Sequence, residues 1–168
     1  MREHSRDHGH LEDILKYAQN VEQIIIGISY EQFVADIRIY YSVMKNVEVI
    51  GEAANMLTRH FREEHKELPW RLIISMRNVL VYGYAQVSDA DLWQTATNDI
   101  KPLREQVQRY LNDTDWEQWA QGEDPYTEID NAGYKQAVES AQRMKAKGYA
   151  IADIAEITGL TAEEIERL

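Results

Sequence analysis

Apolar residues recur at steps of three and four through most of the first 112 positions, the period of helices with one buried face. From His8 to Ile28 the stripe is Leu11, Ile14, Leu15, Ala18, Val21, Ile24, Ile25 and Ile28. Gly27 marks its end, and Ser29-Tyr30-Glu31-Gln32 has the form of a capping box opening the next helix. The second segment keeps helical period from Tyr30 to about Phe61, through Phe33, Ile37, Tyr40, Val47, Ile50 and Leu57. One continuous helix of that length would be roughly 48 Å long. A small monomer cannot cover so much of it, so it is expected to bend near Gly51 or to lie partly under a second subunit. The charged run Arg62 to Glu67 reads as a solvated turn. Pro69 opens a third helix, ending near Gly83, with Trp70, Ile73, Ile74, Met76 and Leu80 as its apolar content. Ser88 and Asp89 are cap candidates for a fourth, which runs to Leu111. No long run alternates apolar with polar residues, so strands are not supported. The pattern predicts an all-α fold, an antiparallel up-down helical bundle.

Beyond Leu111 the pattern breaks. Acidic residues surround Trp116 and Trp119, and Gly122 and Pro125 interrupt any helix. The chain is therefore divided into a bundle over 1–112, an acidic linker over 113–130 that folds back through its tryptophans, and a helical extension over 131–168. In the extension, small Ala155, turn-forming Gly159 and apolar Ile165 stand at helix-turn-helix spacing. It resembles the minimal helix-turn-helix tails of some transposase-like proteins. Its second helix carries Glu163, Glu164 and Glu166 against a single Arg167, a poor composition for meeting phosphates. A protein-interaction or dimer-stabilising role is favoured over DNA reading.

Length, 168 residues, suits one domain with an appendage. The chain has no cysteine, which removes disulfides, thiolate metal sites and a cysteine nucleophile. A net charge of −11 argues against a broad nucleic-acid footprint, so any contact with RNA would be local. No apolar run approaches the roughly 18 residues of a membrane span. Met1 to His10 is charged and lacks an apolar signal region, so a cytoplasmic location is expected. His4, His8 and His10 have no carboxylate pair at ligand spacing, and neither a metal nor a cofactor is expected. His60 and His65 read as exposed surface.

Candidate chemistry gathers in the third helix. Arg77 and Asn78 interrupt an apolar stretch, and a buried arginine needs a partner or a function. Tyr84, seven residues on, falls on the same face of a regular helix, roughly 10 Å away. Glu52 and Asp36 of the second segment are placed to face them. Spacing alone favours the plainer reading, an Arg77–Glu52 ion pair with the tyrosines as core.

Several stretches together resemble the HepT-like branch of the HEPN superfamily. They are His10-Leu11-Glu12-Asp13-Ile14-Leu15, Ile50-Gly51-Glu52-Ala53-Ala54, Pro69-Trp70, Met76-Arg77-Asn78-Val79-Leu80-Val81, Gly83-Tyr84, Leu92-Trp93 and Asn98 to Leu103. The resemblance covers residues 10 to about 111. It implies a dimeric helical bundle with a composite cleft between subunits. It further implies a metal-independent endoribonuclease acting as a toxin beside a nucleotidyltransferase antitoxin. The family motif is Arg, four residues, His, one residue, Tyr. Arg77 and Tyr84 match its ends, and Tyr82 stands at the histidine. A phenol with a pKa near 10 is a poor general base at neutral pH, although it can donate a hydrogen bond to phosphate. The implied catalytic set is Arg77, Tyr82 and Asn78, and Tyr84 is the implied acceptor of AMP from the antitoxin. A degenerate scaffold that binds RNA or the nucleotidyltransferase without cutting is the competing expectation.

Overall fold

A computed structural model of the chain describes residues 6–82 and 87–168, Tyr82 by its backbone alone. Among the described residues every regular element is helical. Two compact units are present, one reaching to Glu123 and the other formed by Asp124–Leu168.

The first unit contains α1 (Asp7–Ile25), α2 (Tyr30–Ala35), α3 (Ile37–Met56), α4 (Arg59–Glu64), α5 (Trp70–Tyr82), α6 (Asp89–Gln94), α7 (Ile100–Asp113) and α8 (Trp116–Gln121). The core stripe of α1, Leu11, Ile14, Ala18 and Val21, is fully buried against α3 and α7. On its other side α3 packs against α5. The capping box at Ser29 is present, with the Gln32 amide N–H donating to Ser29 Oγ at 3.3 Å.

The long second segment does not run as one helix. It breaks at Asp36 and at Leu57–Thr58, and α3 passes through Gly51 unbroken. Each break is a side-chain cap. Asp36 Oδ1 accepts from the Arg38 amide at 2.9 Å, and Thr58 Oγ1 accepts from the Phe61 amide at 3.1 Å. These caps satisfy amides that the helix start leaves open. Part of the run expected as a solvated turn is instead α4. Between α6 and α7 the helix widens into a π turn over Thr95–Asp99, where the Ile100 amide bonds to the Thr95 carbonyl. Pro102 explains it: the ring has no N–H to give the Asn98 carbonyl and would clash with it in a regular helix.

Trp116 and Trp119 of α8 lie against the bundle. The Trp119 indole N–H donates to Asp7 Oδ2 at 3.0 Å, and the same carboxylate accepts from the amide and hydroxyl of Thr58, each at 2.7 Å. Asp7 is wholly buried, and three donors compensate its lost hydration. His60 and His65 are half-buried, contrary to the exposed surface expected of them. His60 stacks on Trp119 with centroids 4.6 Å apart, and His65 stacks on Phe61 at 4.0 Å. The aromatic cluster around Phe61 draws both rings inward.

The second unit holds α9 (Thr127–Ala146), α10 (Ile151–Thr158) and α11 (Ala162–Glu166) around Ala141, Ile154, Ala155, Leu160 and Ile165. Gly159 closes α10 at φ +71°, a left-handed conformation that glycine adopts without steric cost. Thr161 and Glu164 form a capping box for α11, and Lys145 Nζ donates to the Ile165 and Glu166 carbonyls.

Candidate active site

Arg77 lies in the third turn of α5, with 8% of its surface exposed. It reaches that position because α3 presents Gly51 at the helix crossing. A Cβ on Gly51 would fall inside the van der Waals shell of the Arg77 Cβ and 3.0 Å from the Ile73 carbonyl oxygen. The next residue of α3 supplies the counter-charge: Glu52 Oε2 lies 2.7 Å from Arg77 Nη2. Arg77 Nη1 donates to Asn78 Oδ1 at 2.9 Å. Three residues named from sequence, Arg77, Asn78 and Glu52, thus meet in one cluster. The Glu52 side chain keeps 38% of its surface exposed against 9% for that of Arg77, so the pair lies at the edge of the bundle. A planar guanidinium held by a carboxylate on one side and an amide oxygen on the other is oriented for anion recognition.

Asp36 has a different place. It caps α3 and bonds Arg38 Nε and Nη2 at 3.1 and 2.8 Å. These bonds hold its carboxyl at about 2, well below the usual carboxylate value. Tyr82 ends α5 about 7.5 Å along the axis from Arg77. Its side chain, together with Gly83 and Tyr84, lies outside the described residues.

Two neighbouring features escaped the sequence reading. Tyr40 packs beside Phe33 and Tyr41, and burial together with the Asp89 carboxylate pushes its phenol up to about 12. The outer face of α5 exposes Leu72 and Val79 beside a groove of about 310 Å³ shared with Asp91, Gln94, Thr95 and Asp99. The seven-residue spacing of Leu72 and Val79 was the available signal for that face. Gly51 also had one, since small residues cluster in Gly51-Glu52-Ala53-Ala54. Among the described residues no cluster of three or more His, Asp or Glu could hold a metal ion. Among them, too, no helix is long and apolar enough to cross a membrane.

An all-α bundle that carries a buried, oriented arginine at a helix crossing fits the HEPN class of helical proteins. More narrowly, the ribonuclease HepT-like family matches residues 14–110, and the chain belongs to it. A provisionally named RNase of Caldanaerobacter subterraneus subsp. tengcongensis is 35% identical over 102 residues, 61% of this chain and 91% of its own length. The probable ribonuclease HepT of Thermococcus cleftensis is 34% identical over 56% of this chain and 86% of its own. A provisionally named RNase of Methanocaldococcus jannaschii is 31% identical over 58% and 90%. No solved structure gives a significant match. The family match ends before α8, so the second unit lies outside it.

Proposed function

We propose that the chain is the toxin component of a HepT-like toxin–antitoxin pair and acts on RNA as a metal-independent endoribonuclease of low activity. The observation that carries this reading is Arg77, buried in α5 and oriented by Glu52 and Asn78. The names of the relatives support RNA as the substrate. In the reaction the ribose 2′-oxygen attacks the adjacent phosphorus and the bond to the 5′-oxygen breaks. The products are a 2′,3′-cyclic phosphate and a 5′-hydroxyl end, the 2′ proton leaving to a base or water and the 5′-oxygen gaining one. Arg77 holds the phosphate and its developing charge. Tyr82 replaces the histidine of the family motif, and a neutral phenol donates to phosphate but scarcely accepts a proton at pH 7. Low activity follows from that replacement.

The exposed Leu72–Val79 face supports a homodimer, since such a face is suited to burial against a second copy. The partner nucleotidyltransferase would transfer AMP from ATP to the Tyr84 hydroxyl, releasing pyrophosphate, and the added phosphate would repel RNA beside Arg77. A second reading, a scaffold that binds RNA or the nucleotidyltransferase without cutting, is favoured by Tyr82 alone. Cleavage of RNA in EDTA tests the primary reading. Wild-type cleavage that disappears in Arg77→Ala supports it, and the absence of wild-type cleavage on any RNA supports the scaffold.

A further inference from the structure

One face of α3 continues outward from the Arg77 cluster. Arg38, Tyr41, Lys45, Glu48 and Glu52 recur at steps of three and four, so they form one ridge along the helix. Lys45 stands about 10 Å along the axis from Glu52, and Arg38 about 21 Å. Beside the outer half of this ridge, α1 and α3 enclose a groove of about 810 Å³, to which α1 contributes Asn20 and Gln23. Among the described residues lining it none is acidic, in a chain of net charge −11. Tyr41 is 53% exposed and is braced edge-on by Tyr40, with centroids 5.5 Å apart. Each cation already holds a carboxylate outside the groove lining, Lys45 Nζ bonding Glu48 at 2.7 Å and Arg38 bonding Asp36 at 2.8 and 3.1 Å, so a phosphate would share each of them with that partner.

An exposed and braced aromatic ring, two cations one helical turn to either side of it and facing amides make a composition suited to single-stranded nucleic acid. Bases stack on the ring without regard to sequence, and the cations follow the backbone. We propose that the α3 ridge and its groove form a single-stranded RNA subsite, in which a base stacks on Tyr41 and phosphates lie on Lys45 and Arg38, with the strand continuing to Arg77. The subsite rests on the reading of the chain as RNA-directed. It gives an acidic protein the local contact that its overall charge does not supply.

The test is fluorescence anisotropy with a labelled 2′-O-methyl oligouridylate of twelve nucleotides, which lacks the 2′ nucleophile and stays intact. Tyr41→Ala should weaken binding about fivefold or more, and Tyr41→Phe should restore it. Lys45→Ala should lower the salt dependence by about 0.7 in log–log slope. Both positions are exposed, and circular dichroism checks that the variants fold. If the wild type binds and both alanine variants bind equally well, the subsite is overturned while the RNA-directed reading stands. If the wild type binds no RNA, the RNA-directed reading fails and the subsite fails with it. Unchanged RNA binding by Tyr41→Ala with an altered sedimentation coefficient would overturn the subsite and mark the face as a protein interface.

Discussion

At Arg77 a full charge sits at a helix crossing, and the crossing is close because position 51 has no side chain. Gly51→Ala therefore should cost about 1–3 kcal/mol, because neither the Arg77 Cβ nor the Ile73 carbonyl yields cheaply. Urea unfolding measures the cost, and a wild-type midpoint would contradict the packing account. The Arg77–Glu52 pair was legible in sequence, since each charge interrupts an apolar stretch and both needed a partner. The closeness of Gly51 was only hinted at, because small residues permit close approach without specifying which neighbour approaches. Tyr40 was read as one more apolar contact, and its electrostatic setting depends on Asp89, 49 residues away in sequence. Its folded-state pKa of about 12 lies above the ordinary phenol value, so the fold favours the protonated form. That contribution is complete below pH 10 and is lost as the pH rises from 10 towards 12. Tyr40→Phe should flatten the fall in stability across that interval in pH-dependent thermal melts, and an unchanged profile would count against the raised phenol beside Asp89.

At the scale of elements, the helical period was sufficient to find the bundle but not its breaks. The apolar phase continues across Asp36 and Thr58 because each connection is only one or two residues long. Both residues also occur within helices, so neither announces a cap from sequence alone. What distinguishes Thr58 is remote: its hydroxyl caps α4 and also donates to Asp7, which precedes it by 51 residues. Thr58→Ala should then cost about 1–3 kcal/mol, more than an exposed cap, because a buried carboxylate loses a donor. Chemical denaturation gives the number, and a loss under about 0.5 kcal/mol would show that Asp7 is satisfied without the hydroxyl. The π turn had a visible cause in Pro102, but a proline can also kink or end a helix, so its outcome was not legible.

For the whole molecule, the family match and the compact units divide the chain differently. The match ends at residue 110, whereas the first unit reaches Glu123 and includes α8. The indoles of α8 contact Asp7 and the Phe61 cluster, so α8 belongs energetically to the bundle. A chain ending at Glu123 should unfold in one cooperative transition, and one ending at Asn112 should melt about 5 °C or more below it. Equal melting temperatures would detach α8 from the bundle's stability. Most helices of both units were readable from periodicity and turn residues, but α8 and the first turn of α9 fall in the stretch expected as a linker. The catalytic status was not, because it turns on one substitution, Tyr82, within an otherwise matching motif. The most direct measurement is RNA cleavage in EDTA by the wild type, Tyr82→His and Arg77→Ala side by side. Slow cleavage by the wild type, at least tenfold faster cleavage by Tyr82→His and none by Arg77→Ala is the predicted result. Cleavage by Arg77→Ala at the wild-type rate, or none by Tyr82→His, would contradict an RNA-cleaving site centred on Arg77.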